Sequence, residues 1–111
     1  MKMIYMGKYN PTLEKIFDGF FETETEALKY IRSTYKAGTT NFFLNFDHDT
    51  SDIYSPGSND YIEILNKLAS LHNSGKMRHL KLKVHFHSNN AVDITRIKAI
   101  IEHNHKWMKE V

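Results

Sequence analysis

The sequence predicts an α/β fold: a small open, mainly parallel sheet of about four strands with three helices. Three observations carry this. Apolar runs with the two-residue period of strands alternate along the chain with stretches at helical spacing. Strand–helix alternation of that kind implies parallel strands joined by right-handed crossovers. The chain has 111 residues, enough for a single domain over 1–111.

Lys2 to Met6 is the first strand, ended by Gly7 and the Asn10-Pro11 turn signal. Ile16 to Phe21 is a second apolar stretch, in which Gly19 marks a bulge or bend. Thr23 to Glu26 forms a capping box, with the Thr23 hydroxyl placed to accept from the Glu26 amide. Ala27, Leu28, Ile31 and Tyr35 then repeat at helical spacing until Gly38. Asn41 to Phe46 is the clearest strand, with Phe42, Leu44 and Phe46 on one face and Phe43 on the other. A polar loop containing Pro56-Gly57 leads to a helix from about Asp60, with Tyr61, Ile64, Leu65, Leu68 and Leu71 in a stripe. Leu80 to Phe86 is the next strand. Its apolar face is Leu80, Leu82, Val84 and Phe86, and its polar face is His79, Lys81, Lys83, His85 and His87. So one-sided a pattern implies an edge strand or a sheet face left open for a partner. A last helix, capped by Asn90, turns Ile94, Ile97, Ile101 and Met108 inward.

Composition excludes several classes. The 41% hydrophobic and 25% charged fractions are those of a globular protein rather than a disordered one. A net charge of +2 excludes a strongly basic nucleic-acid coat as the main theme. With no Cys there is no disulfide, no thiolate nucleophile and no Cys-type zinc site. No apolar run approaches the roughly 18 residues of a membrane span. Met1 to Met6 is too short an apolar stretch for a secretory signal. A cytoplasmic location is expected.

Of the seven His residues, His72, His103 and His105 read as surface residues. His48, His85 and His87 stand where chemistry is expected. In open parallel sheets ligands bind beyond the carboxyl ends of the strands. Two polar clusters fall there: Asp47-His48-Asp49 after one strand and His87-Ser88-Asn89-Asn90 after the next. Consecutive parallel strands are commonly neighbours, so the clusters are expected to share one edge, with His48 and His87 facing a common cleft.

Phe46-Asp47-His48-Asp49, a Gly-containing loop and helix, then a strand ending in Phe86-His87-Ser88-Asn89-Asn90, resemble the cyclic-phosphate-processing receiver-like family over roughly residues 3 to 105. The resemblance implies a receiver-like fold, a truncated flavodoxin-like one, acting on cyclic-phosphate ends of RNA or nucleotides. It implies a site lined by Asp47, His48, Asp49, His87, Ser88 and Asn90. The family's first strand ends in paired Asp residues followed by Arg-Pro. Here the matching stretch is Met6 to Asn10 and then Pro11, with only the Pro kept, which argues against metal dependence and makes a non-catalytic descendant credible.

Opening a 2′,3′-cyclic phosphate needs a base, an acid and donors for the phosphoryl oxygens. His48 and His87 are the candidates for the proton transfers, and Asp47 or Asp49 can orient an imidazole. Ser88, Asn89, Asn90 and the last helix's free amides are placed to hold an anion, with His85, Lys81 and Lys83 as further substrate-binding residues. No cofactor is expected. Asp47, His48, Asp49, His85 and His87 are acceptable zinc or manganese ligands, but no recognised metal motif contains them, so a divalent cation is the secondary reading. His48-Asp49-Thr50 matches half of the His-x-Thr signature of two-histidine phosphoesterases, but His85-Phe86-His87 supplies no second half. The basic strand face, with Lys76 and Arg78 just before it, either is solvated or follows an RNA backbone, and Tyr54 and Tyr61 offer stacking surfaces. The alternative function is an inert receiver-like module working by protein contact through His79, Lys81, Lys83 and His85, for example a phage or mobile-element anti-defence protein.

Overall fold

The computed structural model describes residues 1–7, 11–47, 60–87 and 91–111. Among them are five strands and three α-helices: β1 (Lys2–Met6), β2 (Gly19–Phe21), α1 (Glu24–Lys36), β3 (Asn41–Asp47), α2 (Asp60–Asn73), β4 (Lys81–His87), α3 (Ala91–His103) and β5 (Met108–Glu110). All strand pairs are parallel, in the order β2-β1-β3-β4-β5. The fold class is the predicted one, and the strand order is flavodoxin-like.

The fifth strand is the difference. Helical spacing assigns Met108 to the inward stripe of the last helix, seven positions after Ile101. In the structure α3 stops at His103 because Asn104 folds back, its side-chain amide donating to the Ile100 carbonyl at 2.8 Å. Met108 is still fully buried, but from β5. β2 is shorter than the apolar stretch it comes from. The amides of Ile16 and Phe17 both donate to the Leu13 carbonyl, which coils the chain until Asp18 donates to Met3. Gly19 is no bulge: it pairs in register with Ile4, and a β-carbon there would meet the Phe21 ring at 2.7 Å.

One layer of helices covers one face of the sheet. α1 packs on α2 and α2 on α3. Ile4, Met6, Phe42, Leu44, Phe46, Leu82 and Val84 meet Ile31, Ile64, Leu65, Leu68 and Ile97 in a single core. Thr23 caps α1 as expected, its hydroxyl accepting from the Glu26 amide at 3.3 Å. Glu24 is buried in the first turn of α1, and Lys67 on α2 reaches it at 2.7 Å. The Glu24 carboxylate, by hydrogen bond and by charge, lifts the Lys67 ammonium above the ordinary lysine value.

The opposite, outer face of the sheet is divided. Over β1 and β2 the connection that follows a single 3-10 turn at Pro11–Leu13 places Phe17 against Tyr5 and Phe20, ring centroids 5.4 and 6.0 Å away. Tyr5 is only 3% exposed as a result. Over β4 the outer residues Lys81, Lys83, His85 and His87 are all exposed.

Candidate functional site

Side-chain alternation decides what meets at the carboxyl edge. Phe42, Leu44 and Phe46 turn toward the helices, so Phe43, Asn45 and Asp47 turn outward. On β4, Leu82 and Val84 turn inward, so Lys81, Lys83, His85 and His87 turn outward. Asp47 and His87 are register partners, the last residues of adjacent strands on the same face. Neighbouring strands lie about 4.8 Å apart, so the two residues stand next to each other on the outer face. His48, Asp49, Ser88, Asn89 and Asn90 lie outside the described residues, as do Tyr54 and the Pro56-Gly57 turn.

Asp47 is held by residues that sequence reasoning did not assign to the site. The Tyr5 hydroxyl donates to its Oδ2 at 2.5 Å, from the diagonal position on β1. That leaves Oδ1 with its lone pairs for another donor. Tyr61, in the first turn of α2, stacks on Phe46 with centroids 4.5 Å apart and an interplanar angle of 6°. Its hydroxyl reaches the carbonyl oxygens of Asp47 at 2.8 Å and Met6 at 3.2 Å. One ring therefore ties the ends of β1 and β3 to the start of α2. From sequence Tyr61 appears in the apolar stripe and as a stacking surface, and its ring does stack, on Phe46 of the core, but nothing in the sequence signals its hydroxyl's task.

Gly7 completes the edge. Its φ is +148°, and a β-carbon would lie 2.3 Å from the Asp47 carbonyl oxygen. No residue with a side chain fits without moving β3. Its N–H donates to Phe21 at 3.1 Å, so β2 is tied to the same point. β1 runs on to β2 on one side while β3 lies on the other, which makes the end of β1 the switch point of the sheet. Asp47 stands beside it. The N-terminus of α2 lies at this edge too, and α3 begins at Ala91, four positions after His87. Helix N-termini favour anions through their free amides and dipole.

The other predicted binding residues are spread out. A parallel strand rises about 3.3 Å per residue, which puts Lys83 roughly 13 Å and Lys81 roughly 20 Å from His87. A single phosphate cannot touch them all. His85 is one step away, and its Nδ1 is 2.9 Å from the Val111 carbonyl. His79 precedes the strand and is exposed, and its backbone amide donates to the Tyr35 hydroxyl at 3.2 Å. His72 is not a plain surface residue. It is half-buried and stacks on Trp107, with centroids 4.2 Å apart. His103 and His105 are exposed. Among the described residues no three of His, Cys, Asp and Glu come together as a metal-binding group, and no helix is long and apolar enough to cross a membrane.

What fold and edge define is a parallel α/β domain of flavodoxin-like strand order, with Asp47 and His87 in register at its carboxyl edge. No known protein family, curated protein or solved structure matches the chain.

Proposed function

We propose that the carboxyl edge binds a phosphate ester, the cyclic-phosphate end of a nucleotide or RNA, and opens it without a metal ion. The observation that supports this reading is the register pairing of Asp47 with His87. Tyr5 occupies one oxygen of Asp47, and in this reading the other orients an imidazole and fixes its tautomer. His48 and His87 divide the roles of base and acid: one takes the proton of the attacking water, the other protonates the leaving 2′ or 3′ oxygen. Ser88, Asn89, Asn90 and the amides opening α3 hold the phosphoryl oxygens. The resemblance to the cyclic-phosphate-processing receiver-like family points to the same chemistry.

Phosphorus NMR of 2′,3′-cyclic mononucleotides incubated with the protein tests the proposal. Conversion to a monoester is expected with and without EDTA. His87→Ala lowers the rate on the order of 10²–10⁴-fold. Absence of turnover overturns the enzymatic reading in favour of an inert module. Loss on chelation, restored by manganese or magnesium, overturns the metal-free one.

A further inference from the structure

We infer that the outer sheet face over β3, β4 and β5 is a binding track for single-stranded nucleic acid, separate from the carboxyl-edge chemistry. The first observation is an arrangement that folding alone disfavours. Lys83 on β4 and Lys109 on β5 are register partners, both exposed. Like charges directly opposite on neighbouring strands are destabilising. Lys81 and Lys106 join them around a cavity of about 320 Å³ at the amino end of these strands, with Trp107 in its wall. Four lysines, with Met1, and no acidic residue line this cavity. An anion carrying several charges relieves the repulsion.

The second observation concerns the shape of that anion. From the cavity, Lys81 and Lys83 point outward along β4 at a pitch of about 6.6 Å, with Lys109 beside Lys83 on β5. A row of donors at that pitch suits an extended phosphodiester chain, whose charges also repeat at regular intervals. The one outward carboxylate at the end of β3, Asp47, already accepts from Tyr5. The third observation separates nucleic acid from an acidic peptide. Phe43 is half-buried on the outer face of β3, in register with Lys83, and Asn45 follows in register with His85. An aromatic ring beside a phosphate-binding lysine is a stacking surface for a base, and an amide beyond it supplies a donor and an acceptor to a base edge.

Fluorescence anisotropy with a labelled 12-nucleotide single-stranded RNA ending in an ordinary 3′-hydroxyl tests this on the full chain. Binding is expected, with log K falling against log salt at a slope of about −2 to −3, the value for three or four phosphates neutralised on a single strand. Lys83→Glu and Lys109→Glu each weaken binding at least tenfold, and Phe43→Leu weakens it about 5- to 100-fold. Circular dichroism melts of the same variants show whether the fold is intact. Failure to bind at low salt overturns the inference. So does equal competition by poly-glutamate with Phe43→Leu unchanged, which assigns the face to an acidic protein instead. The RNA lacks a cyclic phosphate, so the two readings fail separately. Binding without mononucleotide turnover keeps the track and removes the enzyme, and turnover without binding does the reverse.

Discussion

Strand β4 has two faces that share a backbone and little else. Leu82 and Val84 are buried under the helices, whereas Lys81, Lys83, His85 and His87 stand in solvent one residue away. β1 offers the contrast. Its outer Tyr5 is buried by Phe17 and Phe20, because the 11–18 connection crosses it. A sheet face becomes core wherever a connection happens to cover it, and elsewhere it is free to carry charge. The inward side of β4 accordingly sets stability, and its outward side is available for ligands at little energetic expense.

The contrast is broken or sharpened by substitutions read through urea unfolding. Leu82→Ala is expected to destabilise most, by about 2–5 kcal/mol, since a fully buried side chain leaves a cavity. Gly7→Ala follows at about 3 kcal/mol, combining strain at positive φ with the approach of the Asp47 carbonyl. Tyr61→Phe keeps the stack on Phe46 but removes the hydroxyl shared by Met6 and Asp47, for about 1–2 kcal/mol. Lys83→Ala is expected to change stability by no more than about 0.5 kcal/mol, and in the stabilising direction, because it removes the like-charge pair with Lys109. A loss of 2 kcal/mol or more at Lys83 erases the distinction between the two faces.

The smallest effect is a dependence on pH. Lys67 binds its proton more tightly in the folded chain, so its folded pKa lies above the ordinary 10.5. The stabilisation from its pairing with Glu24 is whole below that ordinary value and is lost as pH rises through the higher folded one. Melting temperatures of the native protein and of Lys67→Met, measured between pH 8 and pH 12, should therefore converge at the alkaline end. A gap that stays constant across this range assigns the effect of Lys67 to packing of its methylene stem rather than to its charge.

Local periodicity made much of this legible. Phe42 to Phe46 and Leu82 to Phe86 declare their two faces by alternation alone, and Thr23 with Glu26 declares the start of α1. Adjacency of β3 and β4 follows from a general preference for neighbouring successive strands. β5 is different: three residues are too few to show a period, and Met108 sits by coincidence at helical distance from Ile101. The grip of Tyr5 on Asp47 spans 42 positions and exists only because β1 inserts between β2 and β3. No short window of sequence contains that information. The same holds for Gly7, which reads as the end of a strand but is required by a carbonyl forty residues away.

The lengths of the strands have a consequence for how this chain behaves in company. The two long strands, β3 and β4, are rich in Phe, Leu and Val and lie inside the sheet, while both outer strands are only three residues long. An unpaired strand edge is a template on which another chain can add, and proteins blunt such templates by shortening them or charging them. β2 opens on a glycine, and β5 carries Lys109 at its centre with Glu110 beside it. Neither edge offers a long flat ladder to a second molecule. The segments best suited to aggregate are thus enclosed by the two least suited to recruit, and the sheet can remain monodisperse even with the outward side chains of β4 exposed.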